Sequence, residues 1–213
     1  MTRILAVADE VDEGMYGERL PELAPELVLA CGDLPLDYLE YVVSRLDVPL
    51  LYVPGNHDPD LGAPSRTWTA LSPDLEDPGP PGCINADGRV VEAAGVRVAG
   101  LGGSIRYRPG PNQYTQSQMR RRALGLELKL RLKPARSGRR LDVLLTHSPP
   151  DAVDRPDTDP AHRGFKAFDR LLRVARPRAH VYGHVHPYGV AQPEPKVGAT
   201  LLVNAVPYRL FEI

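Results

Sequence analysis

Seven short apolar runs, each closing at or near a polar residue or a glycine, constrain this chain more than any other feature. They are Ile4–Ala8, Leu27–Cys31, Leu50–Val53, Val96–Leu101, Leu141–Thr146, His180–Tyr182 and Thr200–Asn204. Runs this brief and rich in β-branched residues read as strands buried on both faces. Helix-like segments lie between the early runs. In Leu36–Leu46, the clearest, Leu36, Leu39, Val42, Val43 and Leu46 fall at helical spacing. Strands alternating with helices predict an α/β core. With 213 residues, 42% of them hydrophobic, the chain can bury one substantial core, and residues 1–213 are read as a single domain.

Two stretches depart from that rhythm. Pro59–Pro81 is dense in proline and glycine without periodicity and reads as a long surface loop, of the kind that often shapes a pocket. The only tryptophan, Trp68, lies in it, as a pocket wall or as the loop's own anchor. Gly125–Lys133 is amphipathic and stops at Pro134, and the basic stretch Ala135–Arg140 then leads into the Leu141–Thr146 strand.

Composition removes several function classes. The 26 basic and 27 acidic residues nearly cancel, so no global field marks a nucleic-acid or membrane binder, and any affinity for phosphate must be local. Two cysteines, Cys31 and Cys83, make no disulfide framework and fit a reducing cytoplasm. The apolar run before Asp9 is too short for the core of a signal peptide, and no stretch approaches the roughly 20 apolar residues of a membrane span.

Polar residues at the strand ends carry the chemistry. Asp9 follows the first run, Asp33 the second, Asn56 and His57 the third, and His147 a later one. In open α/β sheets the carboxyl ends of strands face one crevice, so residues distant in sequence converge there. Gly183-His184-Val185-His186 adds two imidazoles at i and i+2, able to face one centre from a tight turn. Asp9, Asp33, Asn56, His147, His184 and His186 thus offer oxygen and imidazole donors without thiolate, a set suited to Mn, Fe, Zn, Co or Ni rather than calcium. Two ions roughly 3.5–4 Å apart and bridged by a carboxylate would clamp a phosphoryl group and acidify a water, with Asp33 as the natural bridge.

Gly32-Asp33, Gly55-Asn56-His57-Asp58, Thr146-His147-Ser148-Pro149-Pro150 and Gly183-His184-Val185-His186, in this order and spacing, resemble the calcineurin-like metallophosphoesterases. The resemblance spans Asp9 to His186, and Gly198–Asn204 and Pro207–Ile213 look like the family's closing strands. It implies a four-layer αββα sandwich of two mixed β-sheets. It also implies two divalent metal ions, Mn2+ foremost with Fe, Ni, Co or Zn as alternatives. Asp9, Asp33 and His186 would hold the first, and Asp33, Asn56, His147 and His184 the second. His57 would then stabilise or protonate the leaving-group oxygen, with Asp58 orienting its imidazole. The substrate would be a small phosphomonoester or phosphodiester attacked by metal-activated water. Gly100-Leu101-Gly102-Gly103-Ser104 is a further family-like element, a sharp turn beside the site.

One position breaks the pattern. The family carries Asp-x-His after its first strand, and here the segment is Asp9-Glu10-Val11, leaving a place for water, or for Glu10 or Asp12 reaching in. That departure is the ground for an alternative, a catalytically weakened member serving as a binding or scaffold protein. A nuclease reading draws only on Arg120, Arg121, Arg122, Arg136, Arg139 and Arg140, which read more simply as a solvated face. Ile105–Arg108 and Asn112–Tyr114 offer basic and aromatic groups to a phosphate or base, or a solvated loop. Cys31 reads as a small buried residue, His180 as packed or hydrogen-bonded within its strand, and His162 as a residue placed to line the pocket and touch substrate, but not as a metal ligand.

Overall fold

The computed structural model describes residues 1–60, 79–132, 140–154, 158–187 and 196–213. Trp68, most of the Pro59–Pro81 loop and the basic stretch up to Arg139 lie outside the described residues. Two mixed sheets form the centre. The first runs β13 (Tyr208–Glu212), β1 (Arg3–Val7), β2 (Leu27–Ala30), β3 (Leu50–Tyr52) and β4 (Cys83–Asn85), with only the β13–β1 pair antiparallel. The second runs β11 (Lys196–Val197), β12 (Thr200–Asn204), β10 (Ala179–Tyr182), β9 (Val143–Thr146), β6 (Val96–Leu101) and β5 (Val90–Ala93), parallel except at its two edges. A two-stranded pair, β7 (Ser104–Ile105) with β8 (Gln113–Tyr114), stands apart.

Alternation within each strand explains why the runs are apolar throughout. Ile4, Ala6, Leu27, Leu29 and Leu51 meet Val98, Val143, Leu145, Ala179 and Val181 between the sheets. The intervening residues Leu5, Val7, Val28, Ala30 and Leu50 face the opposite way, onto α1 (Arg19–Glu22) and Leu39 and Val42 of α2 (Leu36–Leu46). On the far side, Ala99, Leu101 and Leu144 pack on Met119, Ala123 and Leu126 of α3 (Gln116–Leu132) and Phe168 and Leu171 of α4 (Lys166–Ala175). Helix, sheet, sheet and helix make the expected four layers. Each fully buried Val or Leu contributes about 1.5–3 kcal/mol, so these interfaces hold the layers together.

The expected strands and α2 fall within a residue or two of their sequence bounds. The helix expected over Gly125–Lys133 begins nine residues earlier, at Gln116. Its start is a capping box, with Thr115 Oγ1 accepting from Gln118 N at 3.2 Å and Gln118 Oε1 accepting from Thr115 N at 2.9 Å. Arg122 is not part of a solvated face. Its guanidinium grips both oxygens of Asp87 at 2.5–2.6 Å, donates to the Gly102 carbonyl and lies 4.2 Å over the Tyr114 ring. Arg120 and Arg121 are exposed, as expected. No helix among the described residues is long and apolar enough to cross a membrane.

His180 is fully buried in β10 and bonded, as its sequence position suggested. Thr146 Oγ1 donates to the Ser148 carbonyl at 2.6 Å and so accepts from His180 Nε2 at 2.7 Å. Burial pushes the His180 pKa down to about 3, so the ring stays neutral. Unfolded, the same ring titrates near 6.5, so between those values the unfolded chain binds the extra proton and stability falls as pH falls. At about 1.4 kcal/mol per pH unit, the loss of unfolding free energy between pH 7 and pH 5 is expected to be about 2 kcal/mol smaller in His180→Leu than in the wild type. Urea melts at the two pH values measure it. Equal losses would mean that the ring titrates normally in the folded chain.

Candidate metal centre

The site forms where the carboxyl ends of β1, β2 and β3 meet those of β9 and β10. Asp9, Asp33 and His184 all sit in left-handed backbone, at φ 60°, 56° and 67°. Such conformations cost an L residue about 1–3 kcal/mol, less for Asp, and persist where the surroundings fix them. Here the fixing contacts are specific. Asp9 N donates to the Gly32 carbonyl at 3.1 Å, and Asp9 Oδ2 accepts from His184 N at 2.9 Å, joining a strand end of one sheet to that of the other. Asp33 Oδ1 accepts from His57 N at 2.7 Å.

Two glycines are required by space. A Cβ on Gly55 would lie 2.1 Å from Asp33 Oδ1, and one on Gly183 would lie 2.3 Å from Asp9 Oδ2. Gly55 has no positive φ, and the Asp33 carboxylate occupies the place of its side chain. Gly103 does take a positive φ, 87°, in the sharp turn expected of Gly100–Ser104.

Ligand-type atoms of Asp9, Asp33, His147 and His184 all lie within 4.8 Å of one another. Asn56 joins them through His147, whose Nε2 is 3.0 Å from Asn56 Oδ1 and 3.3 Å from Asp33 Oδ2. The opposite nitrogen, Nδ1, donates to the Cys31 carbonyl at 2.7 Å. In a neutral ring Nε2 would then present a lone pair to two oxygens, which is favourable only with a cation between them, a proton or a metal ion. Electrostatics agree. Burial lowers the His147 pKa, but the Asp33 carboxylate, together with Asp9 and the Cys31 carbonyl, more than offsets it and the net shift is upward. Burial alone would raise Asp33, yet its contacts with His147 and the His57 amide hold it below the ordinary value.

His184 is the opposite case. Its Nε2 donates to the Ala161 carbonyl at 2.9 Å, which assigns the lone pair to Nδ1, and burial takes its pKa down to about 3. Burial raises Asp9. His186 does not join the four-residue group; its Nδ1 is 2.7 Å from Glu10 Oε1. Val11 packs against the apolar cluster beneath the first sheet, and Asp12 caps the turn at Gly14 N at 2.8 Å, so Asp12 does not reach in. Three imidazoles with one nitrogen each tied to a protein acceptor, beside two carboxylates and an amide oxygen, suit a first-row divalent metal.

Asp58 does a different job from the one expected. Its Oδ2 accepts from Gly55 N at 2.7 Å and Asp33 N at 3.0 Å, so the carboxylate braces the backbone under Asp33 rather than turning the His57 ring. The partner of His57 is Arg108, whose Nη2 lies 3.3 Å from Nδ1. A guanidinium only donates, so Nδ1 accepts and the proton of the neutral ring sits on Nε2. Next to it, Tyr107 Oη lies 3.3 Å from Asn56 Nδ2, and buried Gln113 accepts from the Tyr107 and Arg108 amides at 3.4 and 3.3 Å. The basic and aromatic segment thus borders the site, although spacing alone could not single out these two side chains.

Two roles left no signal in side-chain chemistry. Cys31 acts through its carbonyl on His147, while burial pushes its thiol well up and away from reactivity. Ala161 likewise serves His184 through its carbonyl. His162, with its ring 5.1 Å from that of His184, lines a cavity of about 180 Å³ beside Pro149, Tyr182 and Val185.

The model of one family, described as calcineurin-like phosphoesterase, matches residues 4–188. No curated protein matches the chain. Among solved structures, the crystal structure of TT1561 of Thermus thermophilus aligns at TM-score 0.61 and 17% identity, covering 96% of this chain and 88% of that one. Another crystal structure aligns at TM-score 0.63 and 20% identity, covering 96% and 90%. A hypothetical protein from Thermus thermophilus follows at 0.51 and 18%, covering 95% and 75%. At these identities the structures share the fold.

Proposed function

The chain belongs to the calcineurin-like phosphoesterase family, and from that membership we propose a metal-dependent hydrolase of a small phosphomonoester or phosphodiester. One observation carries the reading. His147 Nε2 faces Asn56 Oδ1 and Asp33 Oδ2 at 3.0 and 3.3 Å, with Asp9 and His184 beside it, an arrangement that calls for a cation. Asp9, Asp33 and His186 would hold one divalent ion, and Asp33, Asn56, His147 and His184 a second, with Mn2+ the leading choice. When bound, such a pair supplies positive charge to the phosphoryl oxygens and an acidified water for attack.

The protein's own groups do the rest. Neutral His184 offers its Nδ1 lone pair without proton competition. His57, its Nδ1 engaged by Arg108, keeps a proton on Nε2 for the leaving-group oxygen. Asp58 holds the turn that sets His57 beside Asp33.

Hydrolysis of bis-p-nitrophenyl phosphate and p-nitrophenyl phosphate is expected to require added Mn, Ni, Co or Zn and to vanish with chelator. Asn56→Ala and His184→Ala should each lower it at least a hundredfold, about 3 kcal/mol of barrier. Undiminished turnover in either variant would remove that residue from the site. A chain inert with every ion would favour the scaffold alternative, for which Val11, partly buried against the apolar cluster, is the supporting observation.

A further inference from the structure

On the metal-dependent reading, Val11 in place of an imidazole would leave the first ion with fewer protein ligands than the second, and Glu10 stands beside that position in the chain. Asp9 at φ 60° and a tight Glu10 N to Ala8 O contact of 2.6 Å reverse the chain just after β1. The reversal sends Val11 down onto the first sheet's apolar cluster and Glu10 outward to His186, across a sequence separation of 176 residues. The other side of the pair is equally anchored. His184 N donates to Asp9 Oδ2 at 2.9 Å, and Asn204 Nδ2 donates to the Val185 carbonyl at 2.7 Å, which pins the turn carrying His186.

We propose that Glu10 is a positioning residue that accepts from His186 Nδ1 and so presents His186 Nε2 to the first metal. The inference rests on the metal-dependent reading above. Its logic repeats what the other two rings show. His147 gives its Nδ1 proton to Cys31 O and His184 its Nε2 proton to Ala161 O, and in each the remaining nitrogen is the one available to a metal. His186 differs from these two in giving that proton to a carboxylate rather than to a backbone carbonyl. A carboxylate makes an imidazole more basic than a carbonyl does, and losing such a partner typically weakens a metal site 10–100-fold. Glu10 therefore compensates through His186 for the ligand that Val11 cannot supply.

The first test needs no metal. Long-range 1H–15N spectra of the histidine rings in metal-free protein at mildly alkaline pH are expected to show His186 protonated at Nδ1. In Glu10→Ala the ring should shift toward the Nε2–H form common in free imidazoles. A wild-type His186 protonated at Nε2 overturns the proposal. The second test is calorimetric titration with Mn2+. Glu10→Ala is expected to weaken one of two sites about 10–100-fold and leave the other, while Glu10→Gln, whose amide oxygen still accepts, recovers much of the loss. Two unchanged sites in Glu10→Ala overturn the proposal, as does Glu10→Gln binding as weakly as Glu10→Ala, which would place the carboxylate on the metal itself. Wild-type protein that binds no Mn2+ yet keeps the Nδ1–H ring would instead sink the metal-dependent reading and leave the tautomer assignment intact.

Discussion

Asp33→Asn is expected to lower kcat/KM for bis-p-nitrophenyl phosphate at least a thousandfold, about 4 kcal/mol of barrier, while the chain stays folded. The substitution isolates charge from shape. Asparagine tolerates the left-handed backbone that Asp33 adopts at φ 56°, and its amide oxygen can still accept from His57 N. What it lacks is the second carboxylate oxygen, which faces His147 Nε2 at 3.3 Å and on the proposed reading would bridge the two ions. An amide there turns a donor toward the imidazole and removes the negative charge that draws a cation into the cluster. Circular dichroism and a melting curve establish that the fold survives. Activity within tenfold of wild type would remove Asp33 from its bridging role.

Gly55→Ala is expected to destabilise the protein by about 2–3 kcal/mol and to weaken metal binding, although it adds a single methyl group. The added carbon would stand 2.1 Å from Asp33 Oδ1 and 2.7 Å from Asp33 N, so the ligand and its backbone must both move. Gly32→Ala should be worse. Its Cβ would fall 2.2 Å from Gly55 N, and its φ of 93° is one that side chains rarely adopt. Gly125→Ala is the control. It lies in α3 with nothing within 4 Å of the added carbon, so it should stabilise by about 0.5–1 kcal/mol through helix propensity. Urea melts of the three variants with Mn2+ titrations of each provide the comparison. A neutral Gly55→Ala would mean that the approach of Asp33 to Gly55 is looser than the structure shows.

The strands could be read from the sequence because both faces of each are buried, so a run such as Leu27–Ala30 has no polar residue to obscure it. The ligand-bearing turns were legible for the same reason, since an aspartate or histidine closing such a run stands out. Other elements resisted. In β5 every residue is partly or fully exposed, and its valines and glutamate give no clear period. The first half of α3 carries Arg120, Arg121 and Arg122 in succession, and the capping box at Thr115 and Gln118, not hydrophobic spacing, marks its start. Within the site, the sequence pointed to the ligand types but not to their supports. Backbone carbonyls such as Cys31 O leave no mark in residue identity, and Asp58 braces a turn where a motif suggested a catalytic partner. Arg108 and Glu10 meet their histidines only through folding, across 51 and 176 residues.

The proposed ligands are divided between the two sheets, with Asp9, Asp33 and Asn56 rising from the first and His147, His184 and His186 from the second. Between those layers the remaining hold is mostly apolar contact, which resists separation but tolerates small sliding. A divalent ion bound across that seam, as proposed above, would act as a rivet. The sheets could not then shear past one another without breaking its coordination, so affinity for the ion and resistance to unfolding would become a single linked quantity.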